Sequence, residues 1–235
     1  MKKGLLRFAL TLMLPVGIQA ATLEAVPVDT YRPLKAAEAE SLGEGFEAAW
    51  LARLGEALGS DISLLDAPEK GQLRFGKLGS GAAYYSSEIG ALAASKAGPA
   101  DWAGLAGKPF CVTTGSPHAE LIAARFGGVA RIYSSAAQAL IGLKLGECQA
   151  VVGERVLLQQ IAELPEWRRY DRLLPALEYP RLTLRVTTAD AALQQRIEQI
   201  VASPEGQDAL AEVTQHWIDE VAFQAYVLAD TLDCH

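Results

Sequence analysis
The 235 residues, half of them apolar, suffice for one large domain or two small lobes, each with a real core. The formal charge is −7 and no block of Lys or Arg stands out. The chain therefore lacks the basic footprint of a nucleic-acid binder, and an acidic membrane surface is a poor partner for it.

The first twenty residues read as an export signal. Lys2, Lys3 and Arg7 form a positive start, and Phe8 to Val16 is an apolar run too short to span a bilayer. Ile18-Gln19-Ala20 supplies a cleavage site, and Pro15 and Gly17 interrupt the helix that an uncleaved anchor would continue. No cysteine follows the site, so no lipid anchor is expected. The signal holds three of the 21 basic residues and no acidic ones, which leaves 18 basic against 28 acidic residues, a net charge of −10. A soluble protein in an oxidising compartment is expected, and such a compartment favours disulfides.

Leu23–Val28 reads as a strand, broken by the turn Thr30-Tyr31-Arg32-Pro33. From Gly45 the pattern turns helical, with Phe46, Ala49, Trp50, Leu54, Ala57 and Leu58 on one stripe and Gly59 at the stop position. Ile62–Leu65 reads as a second strand. Ala67–Gly81 carries no clear period. Ala82–Ala94 is extended, with Tyr84, Tyr85 and Ile89, and Ser95–Asp101 is linker-like.

A strand–helix alternation follows. Pro109–Thr113 is a strand ending at Thr114-Gly115-Ser116, and Ser116 before Pro117 is a good helix cap. The helix runs to Phe126, where Gly127-Gly128 stops it. Ala130–Tyr133 is a strand, and Ser134 or Ser135 caps a helix with Ala137, Leu140 and Ile141 that Gly146 stops. Cys148–Gly153 is a third strand ending at Glu154, with a helix over Val156–Glu163. This alternation predicts an α/β fold with parallel sheet. Later come a strand at Leu182–Thr187, a helix with Leu193, Ile197, Ile200 and Val201, and another capped by Ser203-Pro204-Glu205, with Leu210, Val213, Thr214, Trp217 and Val221 on its buried stripe.

Cys111, Cys148 and Cys234 fit no zinc or redox spacing. Cys111 lies within one predicted strand and Cys148 opens another, so neighbouring strands would let them bridge. Cys234 is left free or available for an intermolecular link. No metal spacing or cofactor motif is present, and no Ser/His/Asp order convinces. His216 and His235 read as structural, surface or terminal. Trp50, Trp102, Trp167 and Trp217 read as core or hinge anchors.

Ligands gather at the C-terminal ends of parallel strands. Thr114, Gly115 and Ser116 end one such strand and Glu154 another. Ser116 and the first helical N–H groups can take a carboxylate, and Glu154 can face an ammonium. The same residues also read as an ordinary cap and as an acid favoured by the helix dipole. His118, in the first turn, either contacts a ligand or is exposed.

Leu105-Ala106-Gly107-Lys108-Pro109-Phe110-Cys111-Val112, through Gly115-Ser116, resembles the opening of lobe two in type 2 periplasmic amino-acid-binding proteins (solute-binding family 3). Leu145-Gly146-Glu147-Cys148-Gln149-Ala150-Val151-Val152-Gly153-Glu154 resembles that family's L-x-x-G-x-x-D-A-v-x-x-D segment, with Gln149 and Glu154 at the two Asp positions. Thr30-Tyr31-Arg32-Pro33-Leu34 resembles its T-Y-x-P-F turn. Tyr84-Tyr85-Ser86-Ser87 resembles the end of F-S-x-P-Y-Y. The likeness is strong over Leu105–Glu154 and looser through Trp217.

The resemblance implies two α/β lobes joined by a hinge, with residues 21–94 plus 185–235 in the first and 95–184 in the second. It implies a periplasmic, monomeric, non-enzymatic protein that captures a small polar solute, such as an amino acid, for an ABC permease or another membrane or periplasmic partner. The implied ligand residues are Tyr31, Arg32, Tyr85, Thr114, Gly115, Ser116, His118 and Glu154, with Glu154 on the ligand amine. One departure is clear. The family's T-x-E-R arginine grips the ligand carboxylate, and Asp66 to Ala83 is too short for the strand, helix and turn that carry it; Arg74 or Arg32 is left to substitute. The trimmed lobe also fits a second reading, a receptor-like accessory protein that contacts a periplasmic enzyme or redox partner without transporting solute. Dehydratases share this fold, but only Glu154 and His118 are available here as an acid–base pair.

Overall fold
The computed structural model describes residues 22–66 and 71–233. The predicted signal Met1–Ala20, Cys234 and His235 lie outside the described residues.

Among the described residues, nine strands form one sheet. In chain order they are β1 (Thr22–Pro27), β2 (Asp61–Leu64), β3 (Leu73–Gly76), β4 (Ala82–Ala93), β5 (Pro109–Thr113), β6 (Val129–Tyr133), β7 (Ala150–Glu154), β8 (Arg172–Leu173) and β9 (Leu177–Thr188). Six α-helices among the described residues cover it: α1 (Phe46–Leu58), α2 (His118–Phe126), α3 (Ala136–Lys144), α4 (Arg155–Glu163), α5 (Ala191–Ala202) and α6 (Pro204–Asp233). The sheet order is β2-β1-β3-β9-β4-β7-β5-β6, with β8 on β4.

Two parallel groups lie at the ends of this order. β1 is parallel to β2 and β3, and β5 is parallel to β6 and β7. The long strands β4 and β9, antiparallel to each other, join the groups. Each has 12 residues, a reach of roughly 40 Å at about 3.4 Å per residue. One end of β9 pairs with β3, and the far end of β4 pairs with β7. Register shifts at Ala83/Tyr85 and Ser87/Ile89 interrupt the β4–β9 ladder between the two groups. Bulges of this kind bend and twist a strand, which lets one sheet carry both groups.

The local signals explain most boundaries. Gly59 ends α1 in the left-handed region at φ 68°, where a side chain would be strained. Ser135 Oγ accepts the Gln138 N–H and caps α3, and Asp190 caps α5. Of the predicted α1 stripe, Phe46, Trp50, Leu54 and Leu58 are buried, while Ala49 is half-buried and Ala57 exposed; Trp50 stacks on Tyr84 with ring centroids 4.5 Å apart, and Phe46 meets Tyr85 edge-on at 5.3 Å. A second cluster under α2 joins Ile89, Trp102, Leu105, Phe110, Val112 and Ile122.

Differences from expectation have physical reasons. β3 forms inside Ala67–Gly81, where exposed Arg74 between buried Leu73 and Phe75 leaves only four residues of pattern. β9 begins at Leu177 rather than Leu182, because the antiparallel partner β4 is equally long. α6 continues to Asp233 and packs on α1, α3, α4 and α5, so it lies across both groups. Arg53 reaches Glu212 at 3.5 Å, and Gln160 and Gln215 exchange side-chain hydrogen bonds.

Candidate functional site
The site forms where the C-terminal ends of β1, β3, β5 and β7 face one another. The turn after β1 is tightly held. Asp29 accepts the Tyr31 N–H on Oδ1 and the Lys77 N–H on Oδ2, both at 3.1 Å, which ties the turn to the end of β3. Leu34 is fully buried at φ 56°, a left-handed conformation that costs a non-glycine residue about 1–2 kcal/mol. Packing holds the Thr30–Leu34 turn in that shape.

This turn crosses to the other group. Gly115, at φ 72°, meets it so closely that an added Cβ would lie 2.8 Å from Thr30 Oγ1 and 3.0 Å from the Tyr31 nitrogen. Further out, the Ala136 N–H donates to the Lys35 carbonyl at 2.9 Å, and Gln138 Nε2 donates to Glu38 at 2.9 Å.

At the centre, the Tyr31 hydroxyl donates to Glu154 Oε1. His118 Nε2 stands 3.5 Å from the same oxygen and has no hydrogen-bond partner among the described residues. All three side chains are buried. Burial pushes the Glu154 carboxyl up to about 7. Burial, assisted by the Lys77 charge, pushes the His118 imidazole down to about 4. At neutral pH the imidazole is uncharged, and the Glu154 carboxyl is near its midpoint. Ser116 Oγ accepts the His118 N–H at 3.3 Å at the start of α2, whose cap position falls on Pro117, one residue later than expected.

The other predicted residues go elsewhere. Arg32 pairs with the buried carboxylate of Glu47 at 3.4 Å and lies over the Phe75 ring. Glu47 also accepts from the Tyr84 hydroxyl at 3.1 Å, and burial pushes its carboxyl up to about 8 despite Arg32. Tyr85 packs on Phe46, and its buried hydroxyl has no hydrogen-bond partner among the described residues. Thr114 is exposed, and its hydroxyl donates to the Tyr133 carbonyl at 3.0 Å. Arg74 lies with Leu23, Gln72 and Thr187, away from Glu154. Cys111 and Cys148 form the expected disulfide, Cα atoms 5.7 Å apart, beneath the β5–β7 pair.

Two cavities flank the Tyr31–Glu154 contact. One, about 400 Å³, is lined by Lys77, Ile89, Pro117, His118, Glu120, Leu121, Arg181 and Leu182. The other, about 170 Å³, includes Thr30, Arg32, Lys35, Glu40, Asp66 and Thr114. Lys77 and Arg181 were not singled out from sequence. Lys77 follows a strand too short to read, and Arg181 sits in the part of β9 that precedes the legible pattern. The one usable signal for Lys77 was a cation just before the Gly79-Ser80-Gly81 turn.

No family model and no curated protein matches the sequence. Solved structures do. A mutant of ArgBP from T. maritima superposes with a TM-score of 0.59 at 13% identity, over 85% of this chain and 96% of that one. An arginine 3rd transport system periplasmic binding protein from Legionella pneumophila gives 0.57 at 12% identity, over 84% and 100%. The chain has the type 2 periplasmic-binding-protein fold. The VFT2 domain of Bordetella pertussis BvgS, as a double mutant, gives 0.57 at 16% identity, over 83% and 93%. In this fold, β4 and β9 pass between the two parallel groups of strands, and the Tyr31–Glu154 bond joins the turn after β1 to the end of β7. Among the described residues no helix is long and apolar enough to cross a membrane, and no group of three or more His, Cys, Asp or Glu side chains is placed to hold a metal.

Proposed function
We propose that the protein is a periplasmic solute receptor, binding rather than catalytic. It would hold a small polar solute between lobes 21–94 plus 185–235 and 95–184, and pass it, as a monomer, to an ABC permease or another membrane partner. The observation that carries this reading is the cavity of about 400 Å³ beside His118, lined by Lys77 just after β3 and by residues of β4, α2 and β9. Small-molecule sites typically measure about 300–1,000 Å³ and sit at such junctions. The similar solved structures, among them an ancestral arginine-binding protein bound to arginine, support solute binding. Amino acids are therefore the first class to assay.

The test is a thermal-shift screen of the purified protein against amino acids, polyamines, sugars and small carboxylates. A solute at a hundred times its dissociation constant adds roughly 2.7 kcal/mol. Protection that a Lys77 or Glu154 substitution abolishes supports the reading. A flat screen on folded protein favours the second reading, an accessory protein that contacts a periplasmic enzyme or redox partner. The specific observation on that side is that the Tyr31 hydroxyl already occupies Glu154.

A further inference from the structure
We infer that the cavity beside His118 takes a small carboxylic acid with an apolar body and no amine. This rests on the solute-receptor reading and names the ligand class for it. The cleft acid suited to an ammonium is Glu154, and the Tyr31 hydroxyl already donates to its Oε1. An amine would have to displace that buried bond. The acid that lines the cavity itself, Glu120, is exposed, and neighbouring Glu88 is held by Arg181 at 2.9 Å and Arg155 at 3.9 Å.

The same cavity suits an anion. The Lys77 ammonium has no carboxylate within 4.0 Å among the described residues, while its backbone N–H is anchored on Asp29. Arg181 gives one nitrogen to Glu88, and a guanidinium has five N–H donors, so others remain for a ligand. His118 is buried, and its Nε2 has no hydrogen-bond partner among the described residues, the nearest acceptor being Glu154 Oε1 at 3.5 Å. Its imidazole is neutral at pH 7, so it can offer one N–H without adding a second buried charge. A carboxylate between Lys77 and His118 gains charge-assisted hydrogen bonds and brings no cation near Lys77. Ile89, Leu121, Leu182 and the Pro117 ring supply apolar wall for the rest of the molecule.

Matched ligands isolate the claim: 4-methylpentanoate, leucine and 3-methylbutylamine share one apolar body and differ only in their charged groups. Propanoate, alanine and ethylamine repeat the comparison for a smaller body. Calorimetric titration of the purified protein should find an acid in at least one set binding ten or more times tighter than its amino acid, with no heat from the amine. Lys77→Met should weaken that acid at least tenfold, and Lys77→Arg should restore most of the affinity. Lys77 is exposed, so neither variant threatens folding, and circular dichroism checks it. If the amino acid or amine binds as tightly as the acid, or Lys77→Met leaves the acid unaffected, the inference is overturned. The receptor reading survives that outcome provided the bound solute still depends on Glu154. If no acid of either set binds, the inference is likewise overturned. The receptor reading then stands on any protecting solute in the wider screen and falls without one.

Discussion

Glu154 and His118 titrate over overlapping ranges with opposite consequences, and separating them by substitution tests the geometry of the site. In the folded chain the Glu154 carboxyl is raised from 4.5 to about 7 by burial. The native state then holds a proton that the unfolded state releases, so this contribution to stability is complete below pH 4.5 and lost as pH rises to 7. His118 is lowered from 6.5 to about 4. The unfolded state binds the extra proton there, so stability is gained as pH rises from 4 to 6.5. Each factor of ten in proton affinity is about 1.4 kcal/mol, so each effect amounts to roughly 3 kcal/mol. Between pH 4.5 and 6.5 they oppose each other. Glu154→Gln keeps an oxygen for the Tyr31 hydroxyl and removes the falling contribution. Its stability relative to wild type should climb by roughly 3 kcal/mol between pH 4.5 and 7. His118→Gln should fall relative to wild type by a similar amount between pH 4 and 6.5. Glu47, also raised by burial, is common to all three proteins and drops out of the differences. Urea unfolding at half-unit pH intervals measures the curves. Parallel curves for wild type and Glu154→Gln across pH 4.5 to 7 would refute the buried, proton-retaining Glu154.

Tyr31→Phe removes the donor to Glu154 and should cost about 1–3 kcal/mol in urea unfolding, the penalty for a buried polar group left unpaired; a change within a few tenths would mean that the contact contributes nothing. Gly115→Ala places a methyl 2.8 Å from Thr30 Oγ1 at a left-handed φ, so it should lower stability by about 1–2 kcal/mol and raise the radius of gyration by prising the cleft apart. Unaltered scattering would show that the turn yields instead. Reduction of the Cys111–Cys148 disulfide frees a loop with a separation of 37 residues and should cost about 3–4 kcal/mol by the chain-entropy model, read as a lower Tm with reductant that Cys111→Ser/Cys148→Ser reproduces.

How much the sequence disclosed varied along the chain. From Pro109 to Glu163 the helix stops, the Ser cap and the run of strands are visible because each element carries its own local signal. The disulfide was legible for the same reason, since it needs only that β5 and β7 be neighbours. β3 was hidden because its pairing with β1 and β9, rather than its own four residues, makes it a strand. The length of α6 was hidden because its last turns expose Phe223 and Tyr226 while burying Val221 and Ala225, which blurs the apolar stripe. At the site, Tyr31, His118 and Glu154 were visible as residues near strand ends. That they meet one another was not, because the meeting depends on the closeness of Gly115 to the Thr30–Tyr31 turn, a tertiary fact without a local pattern. Arg32 carried a charge that suited a ligand, but buried Glu47 claims it.

The Tyr31–Glu154 bond also bears on what a solute can do to the shape of the protein. A ligand shifts a conformational equilibrium only through its differential affinity for the two states. In the described state the two strand groups already meet through Tyr31 and Glu154, Ala136 and Lys35, and Gln138 and Glu38, while α6 packs on α1, α3, α4 and α5. Where closure already dominates, even a tight ligand moves the population little, and a partner that reads shape responds to opening rather than to closing. Tyr31→Phe weakens the bridge by up to about 3 kcal/mol, enough for a closed population to fall by two orders of magnitude relative to the open one. A ligand seated between Lys77 and His118 should therefore leave the radius of gyration of the wild-type protein unchanged and reduce that of Tyr31→Phe. A wild-type protein that contracts on adding the same ligand would show that the Tyr31–Glu154 bond does not hold the cleft shut on its own.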